Sequence, residues 1–250
     1  IVCEKTFDTQ DGIFDVVWSE SHENQLVTCS GDGSIKLWDT TLNDFPIRNW
    51  TEHNKEVFSI GWNLIDKTHF VSSSWDGTIK LWNPELAQSL NTLTGHTGCI
   101  YNAQFSPHEP NIIASCAGDQ TIRIWDLRTR QTGPHGNCVA IIHGHDGEIL
   151  SLDWNKYHQK TLVTGSVDCT IKSWDLRMAG MNASTNRQAE IFRLQGHQFA
   201  VRKVRCSPLS GNIILSSSYD MTMRVWNTDP AFMKNNNSGL AYVDDSHSEF

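Results

Sequence analysis

The sequence predicts an all-β protein, a propeller of repeated four-stranded modules. Two observations carry this. Five segments align without gaps: GDGSIKLWD (31–39), WDGTIKLWN (75–83), GDQTIRIWD (118–126), VDCTIKSWD (167–175) and YDMTMRVWN (219–227). Their tryptophans, Trp38, Trp82, Trp125, Trp174 and Trp226, stand 44, 43, 49 and 52 residues apart, the period of a four-stranded blade. Between the motifs, runs such as VFSIGW (57–62), CIYNAQF (99–105) and ILSLDW (149–154) alternate and are rich in β-branched and aromatic residues, as strands require.

Within each unit the register is stricter than the period. His53, His96, His145 and His197 each precede the aligned Trp by 29 positions. Asp76, Asp119, Asp168 and Asp220 follow that His by 23, and Ser72, Ser115, Thr164 and Ser216 stand four before the Asp. The first unit keeps Thr28, Asp32 and Trp38 but has Thr9 in place of the His. A blade turns its chain several times with little helical scaffolding, so polar side chains must tie turns to strands. His, Ser/Thr, Asp and Trp can form one hydrogen-bonded chain in which Trp donates through its indole N–H. A catalytic triad occurs once per active site, not once per blade, so these recurring residues read as structural.

Composition narrows the function. A chain of 250 residues can bury a large core. With 19% charged and 38% hydrophobic residues and no apolar run near eighteen, disorder and a membrane-spanning helix are excluded. Twenty Lys+Arg against 28 Asp+Glu give a net charge of −8, which argues against a nucleic-acid partner. Cysteines 3, 29, 99, 116, 138, 169 and 206 are odd in number and never spaced C-x-x-C. They read as reduced thiols buried in strands of a cytosolic or nuclear protein. His143 and His145 do not make a metal site, because two ligands are too few and His145 belongs to the repeat register. No P-loop or nucleophile elbow suggests an enzyme, and no cofactor or small-molecule substrate is expected.

The units divide the chain at 9–52, 53–95, 96–144, 145–196 and 197–246. Residues 1–8 read as the outer strand of a preceding blade and 247–250 as the start of a further repeat, so the chain reads as an internal piece of a longer polypeptide. The variable connections are 127–138, 176–190 and 228–246; the last two hold the Gly/Asn-rich AGMNASTN and KNNNSGL and are expected to be mobile surface loops.

Such a fold fixes no chemistry, so function must come from a surface. The positions at the head of each innermost strand and just before each turn Asp would surround the central channel. They are Gly12, Phe14 and Gly31; Glu56, Phe58 and Trp75; Cys99, Tyr101 and Gly118; Glu148, Leu150 and Val167; and Ala200, Arg202 and Tyr219, with Phe250 opening a sixth set. The ring is apolar and aromatic with acids on its rim, Asp11 included, which suits a basic amphipathic partner. Alternation leaves open whether Phe14, Phe58 and Tyr101 face solvent or pack between blades. Taken singly, Asp11, Glu56 and Glu148 also read as solvated rim charges.

The five motifs resemble the WD-repeat family, whose members commonly have seven blades. Departures are Asn83 and Asn227 after their tryptophans, and Cys206 where the innermost strand usually carries an aromatic. The likeness goes further. TQDGIFDVVWSESHENQ (9–25), FPIRNWTEHNKEVFSIGWN (45–63), SSSWDGTIKLW (72–82), CIYNAQFSPHEPNI (99–112), AVRKVRCSP (200–208) and HSEF (247–250) resemble the family of receptors for type-2 peroxisomal targeting signals. That resemblance implies a receptor that binds the N-terminal signal of peroxisomal matrix proteins in the cytoplasm. It carries them with a co-receptor peroxin to docking peroxins, cycling between cytoplasm and the peroxisomal membrane and matrix. The signal is Arg/Lys then Leu/Val/Ile, five variable residues, then His/Gln and Leu/Ala, which puts the basic residue and the His on one helical face. The resemblance marks Asp11 and Glu56 as acid contacts, with Phe14, Phe58, Trp75, Tyr101, Glu148, Leu150, Arg202 and Tyr219 completing the expected contact set. The competing readings on the same fold are a histone-binding chaperone and a ubiquitin-ligase substrate adaptor.

Overall fold

The computed structural model describes residues 2–42, 45–129, 137–180, 188–230 and 240–242. Among the described residues the regular structure is β apart from helical residues at Gln188, Ala189 and Pro230. The first sheet holds β1 (Ile13–Trp18), β2 (Gln25–Ser30), β3 (Ile35–Asp39) and β4 (Arg48–Trp50). The second holds β5 (Val57–Trp62), β6 (Phe70–Ser74), β7 (Thr78–Trp82) and β8 (Asn91–Thr94). The third is β9 (Ile100–Phe105), β10 (Ile112–Ala117), β11 (Thr121–Asp126) and β12 (Cys138–His143). The fourth starts with β13 (Ile149–Trp154), β14 (Thr161–Ser166), β15 (Ile171–Asp175) and β16 (Glu190–Leu194). The fifth holds β17 (Val201–Cys206), β18 (Ile213–Ser218) and β19 (Met223–Asn227). Neighbouring strands are antiparallel and consecutive, as a WD-repeat propeller requires. The chain divides into two compact units, Ile1–Asp119 with Ile124–Cys138, and Gln120–Arg123 with Val139–Phe250.

Each unit has its own core. In the first, Val27, Ile35, Val57, Ile60, Phe70 and Trp82 pack together; in the second, Val163, Ile171, Leu194, Val201, Val204 and Ile214 do. Second strands such as FVSSS and TLVTGS are buried along their whole length, so they carry small hydroxyl residues among apolar ones. Those hydroxyls are placed by register. Trp82 pairs with Phe70 across the β6–β7 ladder, and Ser72 is two residues along on the same face. That diagonal brings the indole N–H to the Ser72 oxygen at 2.8 Å. The same diagonal recurs as Trp38–Thr28, Trp174–Thr164 and Trp226–Ser216, each at 2.8 Å.

Residues 2–12 form no strand; Phe7 packs on Trp38 with ring centroids 4.8 Å apart, a contact that His rings make in the other blades. Within 228–246, read from the sequence as a loop, Leu240–Tyr242 forms a short strand (β20) that pairs with β16, matching Phe192 with Tyr242 and Leu194 with Leu240. The open outer edge of β16 offers unpaired peptide groups that a short strand can satisfy. The fourth sheet therefore has five strands and the fifth has three. The Gly/Asn-rich parts of the three connections lie outside the described residues, as does 247–250. Four cysteines, Cys29, Cys116, Cys138 and Cys206, are buried, whereas Cys3 is exposed and Cys99 and Cys169 are half-buried; all seven are free. Burial pushes the Cys206 thiol up to about 12, so it is inert as a nucleophile near neutral pH.

Candidate functional site

One hydrogen bond repeats in every blade and assembles the candidate site. The residue before the turn Asp donates its N–H to the carbonyl just ahead of the innermost strand. The pairs are Gly31–Gly12 (3.0 Å), Trp75–Glu56 (3.0 Å), Gly118–Cys99 (2.8 Å), Val167–Glu148 (2.9 Å) and Tyr219–Ala200 (3.1 Å). Positions some twenty residues apart in sequence thus meet at one end of each blade.

The remaining position of each set is a β-bulge. The ladder skips from Ile13 to Asp15, from Val57 to Ser59, from Ile100 to Asn102, from Ile149 to Ser151 and from Val201 to Lys203. The residue passed over is Phe14, Phe58, Tyr101, Leu150 or Arg202. A bulge leaves its extra residue unpaired and re-aims the side chain, a device common beside functional sites. Every bulged residue here is one that the repeat spacing had marked.

In the first unit the bulged aromatics come together. Phe14 stacks on Phe58 with centroids 4.6 Å apart, and Phe58 stacks on Trp75 at 5.3 Å. Tyr101 stands edge-on to both, 5.6 Å from Phe58 and 6.2 Å from Trp75. Phe14 is exposed, while Phe58, Trp75 and Tyr101 are half-buried. The rings therefore pack on one another and still present a surface. Asp11 lies at the Phe14 end: a Cβ on Gly31 would stand 2.9 Å from its Oδ2 and 3.3 Å from Phe14 Cε2. Only glycine lets carboxylate and ring approach this closely. Glu56 is fixed by its backbone bond to Trp75. The result is an aromatic row with the Asp11 carboxylate at its Phe14 end and Glu56 joined through its backbone to Trp75, able to accept an apolar side chain and a cation together.

In the second unit the picture differs. Tyr219 is 61% exposed and Glu148 is exposed, while Arg202 is half-buried. Leu150, expected as a ligand contact, is only 8% exposed. It lies in a strand whose first four residues are all buried, so it contributes to the core.

The recurrent His, Ser/Thr, Asp and Trp residues form closed networks away from this surface. His53 Nδ1 is 2.8 Å from Asp76 Oδ2, and its Nε2 is 2.7 Å from Ser72 Oγ. His96 with Asp119 and Ser115, His145 with Asp168 and Thr164, and His197 with Asp220 and Ser216 repeat this at 2.7–2.8 Å. Trp125 donates to Ser115 at 2.8 Å. Burial alone would raise the carboxyls of Asp76, Asp168 and Asp220. Hydrogen bonds from the paired His and from Thr78, Thr170 or Thr222 outweigh it and hold all three well below the usual carboxylate range. Burial pushes His145 below its ordinary value against the pull of Asp168.

Sequence reasoning missed the ties between neighbouring blades. Asp15 Oδ2 accepts the Ile60 N–H at 3.0 Å, Ser59 Oγ the Ala103 N–H at 3.3 Å, and Ser151 Oγ the Val204 N–H at 3.2 Å. A polar residue in third place on each of these innermost strands was the available signal. Trp75 was among the expected residues, but nothing in the sequence signals that its indole Nε1 is buried without a hydrogen-bond partner.

A family model described as "WD domain, G-beta repeat" matches residues 1–39 and 45–83, and one described as "EIPR1 beta-propeller" matches 84–226. A Komagataella phaffii protein named peroxisomal targeting signal 2 receptor is 40% identical over 92% of this chain and 70% of its own length. The chain belongs to the peroxisomal targeting signal 2 receptor family. The Schizosaccharomyces pombe member is 31% identical over the whole chain and 74% of its own length. The Mus musculus member is 46% identical over 89% of the chain and 66% of its own length. This is a family of receptors, not enzymes, in keeping with Ser, His and Asp side chains that bond one another inside the blades.

Proposed function

We propose that this chain binds the helical type-2 targeting signal of peroxisomal matrix proteins and, with a co-receptor, delivers them to docking peroxins at the peroxisomal membrane. The receptor cycles between cytoplasm and peroxisome. One observation carries the reading: the continuous row Phe14–Phe58–Trp75–Tyr101 with Asp11 and Glu56 beside it. An amphipathic helix with an apolar stripe and a basic residue complements that surface in shape and sign.

Magnitudes divide the work. Burying a few hundred Å² of apolar surface at about 25 cal/mol per Å² supplies most of the attraction. An exposed ion pair adds roughly 0–1 kcal/mol, so the acids select more than they hold. Ordering a short peptide costs about 1–2 kcal/mol per residue before contacts return it, so affinity for the signal alone is modest. A co-receptor covering the helix's second apolar side makes up the difference.

The test is fluorescence anisotropy of a labelled type-2 signal peptide on the full-length protein, with and without co-receptor. Binding by the wild type, with loss in Asp11→Lys and Glu56→Lys variants that keep their melting temperature, is expected. Undiminished binding by both variants overturns the reading. A basic histone tail serves as the competing ligand, and tighter capture of that tail favours the chaperone alternative.

A further inference from the structure

The aromatic row contains one polar atom with nothing to bond. Trp75 Nε1 is shielded from solvent and has no acceptor. The repeated tryptophans of the blades never show this: Trp38, Trp82, Trp125, Trp174 and Trp226 all donate at 2.8 Å. Leaving a buried donor unpaired is costly, and native proteins keep few such groups outside functional sites. The backbone around it is pinned, with the Trp75 N–H on the Glu56 carbonyl and Gly77 N–H on the Ser74 carbonyl. Only the indole can turn, about its two side-chain torsions.

Resting on the reading above, we infer that Trp75 is a specificity-determining donor that sets the direction of the bound helix. Its indole N–H turns to donate to an open carbonyl in the C-terminal turn of the signal peptide. The last four carbonyls of any helix lack intrahelical partners, so an acceptor of this kind exists only at that end. The basic residue at the peptide's start then lies at Asp11, beside Phe14. The steps from Phe14 to Phe58 and on to Trp75, 4.6 and 5.3 Å, give the row a reach of up to about two helical turns, the separation of the two ends of the signal. The row is the track, and Trp75 marks its far end.

Indole ¹⁵N–¹H spectra of the full-length protein, titrated with a type-2 signal peptide, read this directly. The Trp75 signal is assigned by its loss in Trp75→Phe or, if that variant does not fold, Trp75→Tyr. Peptide should move the Trp75 signal downfield and slow its exchange with solvent. A spin label on the C-terminal end of the peptide should broaden it, and one on the N-terminal end should not. Trp75→Phe should weaken binding roughly 10-fold without lowering the melting temperature, since it removes an unpaired buried donor. Peptide binding with no tryptophan indole shifting downfield, or broadening from the N-terminal label, overturns the inference and leaves the receptor reading standing. Absence of peptide binding by the wild type removes both.

Discussion

The Trp82 indole N–H donates to Ser72 Oγ at 2.8 Å, and that single oxygen ties the network of the whole blade together. Having accepted from Trp82, the hydroxyl has its own proton to give, and His53 Nε2 receives it at 2.7 Å. On its other side the ring meets Asp76, with Nδ1 2.8 Å from Oδ2. Removing the oxygen orphans both Trp82 and His53, each costing about 1–3 kcal/mol. Ser72→Ala should therefore lower stability by roughly 2–6 kcal/mol in urea unfolding. Ser72→Thr should cost far less, because Thr164 fills the same role beside Trp174 and His145 at 2.8 Å.

The same networks make stability fall with acid. Asp76, Asp168 and Asp220 have folded-state values below their ordinary carboxylate values, so below about pH 4 the unfolded chain takes up protons that the fold refuses. Their contribution is full above that pH and is lost as pH drops. His145 acts earlier: it is depressed from 6.5, so the unfolded state out-binds the folded one below about pH 6.5. Melting temperature should decline gently from pH 7 to 5 and steeply below 4. His145→Gln should start lower but lose part of the gentle slope. A wild-type melting temperature that rises between pH 7 and 5 would contradict the buried neutral imidazole.

Phe58 touches three rings, Phe14, Trp75 and Tyr101, whereas under the proposed function Glu56 would act on the signal only through charge. Each aromatic contact adds about 0.5–1.5 kcal/mol beyond area burial, and one exposed ion pair about 0–1. Phe58→Ala should thus weaken signal-peptide binding about 30-fold or more, and Glu56→Gln by no more than about fivefold. Raising the salt concentration should reduce the Glu56 effect and leave that of Phe58, because screening acts on charge alone.

The repeat and its hydrogen-bonding residues were legible because both depend on covalent spacing. Ser72, Asp76 and Trp82 sit at fixed offsets from His53, and antiparallel register converts those offsets into contacts. The candidate surface was legible for the same reason, down to Phe14, Phe58 and Tyr101. Which way those rings face was not, since each lies in a bulge that breaks period-two alternation. Leu150 shows the limit in another form: it shares the bulge position but is buried, because spacing fixes the backbone site and neighbouring side chains decide what stays exposed. The pairing of Leu240–Tyr242 with β16 depends on which free edge captures a short strand, and three residues carry no such instruction.

Each turn before the motif strand needs one residue in the left-handed region. Gly33 (φ 82°) and Gly77 (φ 79°) fill it without strain, but Cys169 (φ 67°) and Met221 (φ 63°) hold side chains there. A left-handed conformation costs a non-glycine residue about 1–2 kcal/mol, while glycine gives back about 0.4–1 through its freer unfolded chain. Met221 is 99% exposed and packs on nothing, so no contact offsets the strain. Met221→Gly should raise stability by about 0.5–1 kcal/mol, and Cys169→Gly by a similar amount. Gly77→Ala tests the argument in reverse. The nearest atom to its new Cβ would be the His96 carbonyl oxygen at 3.5 Å, an ordinary contact, so any loss is conformational. Urea midpoints that rise for the first two variants and fall for the third are expected. A destabilised Met221→Gly would mean that the turn is held by something other than backbone preference.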